Sequence, residues 1–440
     1  MANTVDKHKL SRRDSMTVGI TLFSMFFGAG NLILAPMVGF RALGNTPIAM
    51  VGFLLSAVGL PIVALASMAK VGSLNDLTSR ISPRFSRIFG CAVYLAIGPF
   101  LALPRTASTA FEMAAPMLDD SHMVLYRALF SIVFFGVALS LAMKPTKMNK
   151  VMGKVSGPSL LVLIVILVGA VLINHPNYSL GAASCGYDSA PFMSGFIKGY
   201  QTMDVLASLA FGIIISLNVK SMGLEEPSDV SSQVGRSGII AGVLLLLIYS
   251  GFAYLGVACN NLCDMENGAW VISKAAEYEF GVVGIVLVTA IFLIACLNVC
   301  TGLICSISEY FVSTYPDRLS YKTLAITFTV VSALISNVGL SSIISYSAPL
   351  LSALYPVALC LVLMGLMQKN ATDHKQVWQI VIFVCTVISV VVAVRDGFIP
   401  QQALITDTLP FADYDMAWIV PSALAGIIGM IIEKIKVKRA

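Results

Sequence analysis

The chain has 440 residues, of which 57% are hydrophobic and 12% are charged, with a formal net charge of +5 and a mean hydropathy of +0.87. Soluble globular domains carry about 25% charged residues, so this composition excludes that class and predicts a polytopic membrane protein. The small positive excess is explained by loop orientation and does not indicate nucleic-acid binding.

Apolar runs long enough to cross a bilayer follow one another along the whole chain. Twelve membrane-spanning helices are predicted, at 16–40, 46–69, 88–115, 123–143, 155–173, 192–219, 237–259, 281–312, 322–338, 343–367, 377–394 and 415–432. The predicted fold class is therefore an all-α membrane protein, with residues 1–440 forming a single transmembrane domain.

The first run contains Gly28-Ala29-Gly30-Asn31 and, five residues later, Pro36, which is poor material for a continuous helix. In lipid, broken backbone is tolerated only where it is buried in protein or lines a watery cavity. Freed carbonyls there can hold a cation, and freed amides can hold a carboxylate. A glycine-rich packing face is the alternative, but packing alone does not require Asn31 and Pro36. The stretch indicates a transporter.

The third run places Arg105 somewhat past the middle of a span, where a guanidinium needs partners. Three roles remain open: structural pairing with Glu112 or with carbonyls freed by neighbouring prolines, a part in a gate, or a counter-charge to Asp204. The last of these predicts a coupled pair of Arg105 and Asp204 beside the substrate.

The sixth run is also interrupted, between Gly199 and Ser208, and it carries Asp204 near midspan. An ionisable group at that depth is costly unless it is paired or wet, so Asp204 is either a site residue or a structural charge. The first and sixth predicted spans are both interrupted, which implies an internal repeat of five helices. Because five is an odd number, the second copy must enter the membrane from the opposite side. We expect inverted repeats at about 16–173 and 192–367, with peripheral helices at 377–432.

The eighth run contains Asn298 and Thr301, three residues apart and thus able to present oxygens on one helix face. Sodium is a hard cation that prefers oxygen ligands, which the carbonyl of Asn298 and the hydroxyl of Thr301 would supply. The alternative is that Thr301 only bonds back to its own helix.

The connections between runs alternate in charge, with 22 of the 28 Lys and Arg residues on one side. The positive-inside rule therefore predicts that both termini are cytoplasmic. Lys154, at the inner start of the fifth run, is either an ordinary anchor on that side or a titrating substitute for sodium.

The motifs Gly28-Ala29-Gly30-Asn31 with Pro36, Pro104-Arg105-Thr106-Ala107, and Thr202-Met203-Asp204 with Ala207-Ser208 resemble the bacterial branched-chain amino acid–cation symporter family over nearly the whole chain. The resemblance implies a LeuT-like core of ten helices plus two outside it, and a place in the bacterial inner membrane. It also implies uptake of leucine, isoleucine and valine driven by sodium or, less often, by protons.

The resemblance extends to the more distant neurotransmitter–sodium symporters, whose first-helix break has the same spacing. It implies that the amides of Ala29 and Gly30 face the substrate carboxylate, and that the carbonyls of Ser24 and Phe27 bind sodium. Asn31 would offer its side-chain oxygen to a second cation. Substrate contacts are also expected from Asn31, Arg105, Asp204 and Ser208. Those relatives have a gating arginine where this chain has Leu34, so its outer gate must be built differently.

The sequence thus predicts a secondary active symporter that needs no cofactor beyond Na⁺ or H⁺ as the coupling ion. The closest alternative is a proton-coupled or exchange carrier of another small neutral amino acid. An enzyme is disfavoured because all four histidines lie outside the predicted spans. A channel is disfavoured because no selectivity-filter repeat or ring of like charges is visible.

Overall fold

The computed structural model describes residues 10–144, 148, 150–174, 182–260, 268–316, 319–367, 375–399 and 405–437, and within these ranges all regular structure is helical. The longer helices are α1 (Arg12–Phe26), α2 (Ala29–Ala42), α3 (Thr46–Leu54), α4 (Leu60–Val71), α5 (Leu74–Ser79), α6 (Pro83–Leu95), α7 (Ala102–Ala114), α8 (Met123–Ala142), α9 (Gly157–Asn174), α10 (Pro191–Tyr200), α11 (Asp204–Ser221), α12 (Pro227–Ala258), α13 (Gly268–Phe280), α14 (Val282–Thr314), α15 (Tyr321–Ser336), α16 (Leu340–Met367), α17 (Lys375–Phe398) and α18 (Ile419–Val437).

Local sequence signals set where several helices begin. The hydroxyl of Ser11 accepts a hydrogen bond from the Asp14 amide at 3.1 Å and so caps α1. Ser82 caps α6 in the same way, and Pro83 occupies the first helical position, where its missing N–H costs nothing.

Nine segments of the described residues are long and apolar enough to cross a membrane, or ten if one sharply bent pair counts as a span. That pair is α15 with the first part of α16, which meet at 112°. The number of candidate spans is lower than the predicted twelve partly because α2, α3 and α4 follow one another as a single helical segment, Ala29–Val71. In addition, α1 has only 15 residues, and α18 carries Glu433, Lys434 and Lys436 near its end.

Several helix pairs approach so closely that their backbones touch, and two of them illustrate the point. In the contact of α2 with α12, a Cβ added at Gly39 would lie 1.8 Å from the carbonyl oxygen of Ala253. In the contact of α3 with α10, a Cβ at Gly195 would lie 1.9 Å from the carbonyl oxygen of Ala49. Glycine is therefore required at both crossings, as is common where membrane helices pack.

Several helices that look continuous in sequence are locally deformed. Residues 55–59, 96–100 and 152–156 form π-helical turns, which often accompany functional sites. In the second of these, Gly98 leaves helical geometry (φ −97°, ψ −125°) just before Pro99, so that α6 and α7 meet at a kink. The sequence analysis did not predict α13, which lies between the seventh and eighth runs.

Candidate functional site

The first run is broken where its glycines predict. Helix α1 ends at Phe26 and α2 begins at Ala29, with Gly28 extended between them (φ −117°, ψ −170°). The Phe27 amide still bonds to the Phe23 carbonyl at 2.8 Å, but the carbonyls that follow have no continuing helix ahead of them. The first amides of α2 likewise have no preceding turn. The break therefore leaves carbonyl acceptors at the end of α1 and amide donors at the start of α2 without helical hydrogen bonds.

The sixth run is broken in the matching way. Helix α10 ends at Tyr200, α11 begins at Asp204, and Met203 between them adopts left-handed geometry (φ 59°, ψ 25°). Asp204 therefore stands in the first turn of α11, where the helix dipole favours a carboxylate. Its side chain is only 5% exposed.

The two breaks enclose a cavity of about 110 Å³, which we call the central cavity. About 10–15 Å³ is enough for one water, so the central cavity has room for a small amphipathic molecule. Its lining is mixed, with one polar group of residues and one apolar group. The lining includes Gly28, Ala29, Gly30, Asn31, Arg105, Thr106, Thr202, Met203 and Asp204 in the polar group, and Ala96, Ile97, Leu101, Phe211, Val299, Leu303 and Leu351 in the apolar group.

Asn31 connects the two breaks. Its Nδ2 donates to Oδ2 of Asp204 at 2.7 Å, and also to the phenol oxygen of Tyr249. The network therefore joins α2, α11 and α12 inside the protein. Sequence analysis missed Tyr249, although a phenol in the middle of the apolar seventh run was an available signal.

Arg105 is half-buried and lies over the first break. A Cβ added at Gly30 would be 3.3 Å from its Nη2 atom, so the guanidinium sits directly beside the freed amides. Among the described residues, no ion pair within 4.0 Å joins Arg105 to Asp204 or to Glu112. Asp204 bonds to Asn31 and Arg105 lies beside Gly30, so the two predicted partners make no direct ion pair in this structure, although their charges still interact electrostatically. Both charges nevertheless line the central cavity.

Ser208 does not reach the central cavity. Its side chain is fully buried, and its hydroxyl donates to the Asp204 carbonyl of its own helix at 2.8 Å. Ala207 lines the cavity instead. This structure does not support the expected contact of Ser208 with substrate, because the side chain is buried away from the cavity lining.

Two of the residues predicted to bind sodium, Ser24 and Asn298, lie near one another where the end of α1 packs on α14. Helix contact is close there, since a Cβ added at Gly302 would lie 2.8 Å from Met25. Ser24 is fully buried, and its hydroxyl has no hydrogen-bond partner in the described part of the chain. Asn298 Oδ1 accepts from Ser156 Oγ at 2.8 Å. A Cβ on the following Gly157 would lie 2.6 Å from Ser24 Oγ, so these groups are neighbours.

Thr301 bonds back to its own helix, as the alternative interpretation expected. Its Oγ1 donates to the Leu297 carbonyl at 2.8 Å. That bond uses only the hydroxyl hydrogen, so both lone pairs of the oxygen stay available to a cation. Lys154 is exposed at the start of the fifth run.

A second cavity of about 610 Å³, which we call the vestibule, lies above the second break. Its lining includes Leu34, together with Asp396 from the last turn of α17 and Asp415 from the connection between α17 and α18. Three side chains line both the vestibule and the central cavity, namely Arg105, Met203 and Leu351. They form the partition between the two spaces.

The arrangement of two broken helices around a small cavity coincides with a family match. The profile of the family described as "Branched-chain amino acid transport protein" matches residues 11–436. The chain belongs to this family. It is 34% identical to the branched-chain amino acid permease BrnQ of Bacillus subtilis, over 98% of this chain and 99% of the relative. It is also 34% identical to the branched-chain amino acid transport system 2 carrier protein of Pseudomonas aeruginosa, over 96% of each chain. These relatives are named as permeases and carriers, which makes the chain a transporter and not an enzyme.

Solved structures show the fold. The nucleobase–cation symport transporter Mhp1, in a closed conformation with bromovinylhydantoin bound, superposes with a TM-score of 0.62 at 14% identity. The match covers 97% of this chain and 93% of Mhp1. A Na⁺-coupled sialic acid symporter in an outward-open state gives 0.59 at 13% identity, over 94% and 89% of the two chains. The chain therefore has the LeuT-like fold of these transporters.

Proposed function

We propose that the protein is a secondary active symporter that imports leucine, isoleucine and valine together with sodium. The observation that carries the proposal is the central cavity, where freed amides, Arg105 and Asp204 face one space that is otherwise apolar. An amino acid with an aliphatic side chain has the matching distribution: two opposite charges at one end and an apolar group at the other. The family names of the relatives support this substrate class.

The charged ends of the substrate would be held by different helices. The carboxylate would bind the amides of Ala29 and Gly30, with the Arg105 guanidinium beside Gly30 as a second donor. The ammonium would bind the Asp204 carboxylate, assisted by the side-chain oxygen of Asn31. The branched side chain would then contact the apolar wall, which includes Ile97, Phe211 and Val299 among others.

Sodium would bind where α1 ends against α14. The proposed ligands are the carbonyls of Ser24 and Phe27, the carbonyl of Asn298 and the hydroxyl of Thr301. The freed acceptors at the end of α1 and the unused lone pairs of Thr301 support this assignment. Asn31 would contribute its Oδ1 to a second cation if one is carried.

Transport would proceed by alternating access in the inner membrane, with both termini in the cytoplasm. We assign twelve spans: inverted repeats at 16–173 and 192–367, and two peripheral helices within 377–432. The similar breaks in the first and sixth spans support the repeat, because they put their freed groups at one cavity. No domain outside the membrane is needed for this mechanism.

Proton coupling is the second candidate, and one observation favours it. Asp204 is a buried carboxylate at the cavity, and such a group can carry a proton in place of a bound cation. Lys154 would be the other titrating group, but it is exposed in this structure.

Uptake of radiolabelled leucine into proteoliposomes would test the proposal, with sodium and proton gradients imposed separately. We expect uptake to follow an inward sodium gradient and to be reduced by unlabelled isoleucine and valine. If an acid exterior drives uptake in the absence of sodium, the coupling ion is the proton and not sodium. Uptake unaffected by either gradient would rule out symport, and no competition by isoleucine or valine would rule out the substrate class.

A further inference from the structure

The hydrogen bonds of Asn31 fix which way its amide points. A carboxylate only accepts hydrogen bonds, so the amide atom that faces Asp204 is the nitrogen. The second hydrogen on that nitrogen goes to the phenol oxygen of Tyr249. Both Nδ2 hydrogens are then used. Oδ1 accepts no hydrogen bond from any described residue, while Asn31 itself lines the central cavity.

Tyr249 is held rigidly and does not itself reach the cavity. Its side chain is fully buried and is absent from the lining of the central cavity. The ring packs edge-on against Phe53 of α3 at 5.5 Å between centroids. It also lies 6.1 Å from the ring of Phe27, the residue at the first break. The phenol oxygen is thus a fixed acceptor on the far side of Asn31 from the substrate.

We propose that Tyr249 is a positioning residue that holds the Asn31 amide with Oδ1 toward the central cavity, and thereby sets the affinity for the ligand that this oxygen binds. The inference rests on the proposed function, in which that ligand is the co-transported cation or the substrate ammonium. Without the phenol oxygen, one N–H of Asn31 has no acceptor, and the amide turns to find another. Its oxygen then leaves the cavity for part of the time.

The test measures leucine uptake into proteoliposomes that contain either the Tyr249→Phe variant or the Tyr94→Phe variant. Both variants keep the ring and remove one buried phenol oxygen, and Tyr94 bonds only to the carbonyl of Leu209, at 3.2 Å. Tyr94 is also fully buried and does not line the central cavity. We expect Tyr249→Phe to raise the half-saturating concentration of the ligand that Oδ1 binds, sodium or leucine, about tenfold, which corresponds to ~1.4 kcal/mol, with the maximal rate retained when both are saturating. We expect Tyr94→Phe to leave that concentration unchanged.

A double-mutant cycle with Asn31→Ala tests whether Tyr249 acts through Asn31. We expect Tyr249→Phe to have no further effect once Asn31 is alanine. Equal effects of Tyr249→Phe and Tyr94→Phe, or an undiminished effect of Tyr249→Phe in the Asn31→Ala background, would overturn the inference. If Asn31→Ala abolishes transport, the comparison of the two tyrosine variants decides alone.

The wild-type protein separates a failure of the proposed function from a failure of the inference. Uptake that ignores sodium in the wild type would refute sodium coupling. In that case the same double-mutant cycle is measured on the equilibrium dissociation constant for leucine in detergent. We expect Tyr249→Phe to weaken leucine binding only when Asn31 is present. Additive effects on that constant would overturn the inference.

Discussion

Arg105 and Asp204 are the two charges that the protein keeps at the central cavity, and each has its own surroundings. Arg105 lies beside Gly30, whereas Asp204 accepts a hydrogen bond from Asn31. Sequence reasoning predicted that both residues lie near midspan beside one space, because an ionisable group is tolerated there only when paired or wet. It could not give the direction of each side chain, which depends on how the helices are rotated against one another.

We predict that Arg105→Gln and Asp204→Asn each weaken leucine binding, and that the two effects are partly coupled. Each should weaken binding tenfold or more, since a hydrogen bond to a charged group contributes about 1.5–3 kcal/mol. The effect of the double variant should be somewhat smaller than the sum of the two single effects, because the charges form no direct ion pair but interact electrostatically across the cavity. Leucine binding and thermal unfolding of all four proteins would be measured. Recovery of stability in the double variant would instead mean that the charges pair in another state of the transport cycle.

The oxygen of Thr301 is the proposed sodium ligand that mutation can remove most cleanly. We predict that Thr301→Ala raises the sodium concentration needed for half-maximal leucine uptake. Ser306→Ala is the matched control, because Ser306 lies in the same helix, is fully buried, and bonds back to Gly302 at 2.8 Å. Uptake should be measured across a sodium series for both variants. If Thr301→Ala and Ser306→Ala need the same sodium concentration for half-maximal uptake, Thr301 is not a sodium ligand.

At the scale of elements, the breaks were the most predictable features and the contacts between helices were the least. Adjacent glycines with Asn31 and Pro36 indicated a break in the first run, and the structure has one at Phe27 and Gly28. The network of Asn31 with Tyr249 was not predicted, because these residues are 218 positions apart and meet only through the packing of α2 on α12. Ser208 was misplaced because its side chain is buried away from the cavity lining.

The crossing of α2 and α12 gives a prediction about stability. Gly39→Ala should destabilise the protein by about 1–3 kcal/mol or more, because the added methyl group would overlap the carbonyl of Ala253 and force the helices apart. Gly136→Ala in α8 is the control, since nothing lies within 4 Å of its added Cβ. It should leave stability unchanged or slightly raised, as alanine favours helix. Thermal unfolding in detergent would compare them, and equal midpoints would contradict the close crossing.

At the scale of the whole molecule, composition and loop charge carry most of the information about how the chain crosses the membrane. The all-helical architecture follows from them because a bilayer satisfies no backbone polar groups. The number of crossings is harder to fix, since α2, α3 and α4 follow one another as one helical segment, Ala29–Val71, across the polar residues that separate two predicted runs. The helix α13 was missed because a short surface helix has no span-length apolar run.

The proposed orientation can be tested with a native cysteine. Cys185 is exposed and lies between α9 and α10, on the side that the loop charges make external. In a Cys263→Ser background, which removes the other cysteine in an external connection, we predict that a membrane-impermeant thiol reagent labels Cys185 in intact cells and that Cys185→Ser removes this signal. A cysteine introduced at the exposed Arg84, near the start of α6, should react only after permeabilisation. The reverse pattern would invert the assigned topology.

The partition formed by Arg105, Met203 and Leu351 is only one layer of side chains thick. In the proposed binding mode the charged end of the substrate lies beside this layer, and its side chain lies against the apolar wall. A compound with an extension attached at the charged end would therefore keep its side chain on that wall and pass the extension through this layer into the vestibule. Such a compound would hold the partition open and occupy the carrier without being released inside. The same geometry therefore sets a size limit on cargo and describes a pharmacophore: an amino acid head group joined to an apolar extension that blocks the transport cycle.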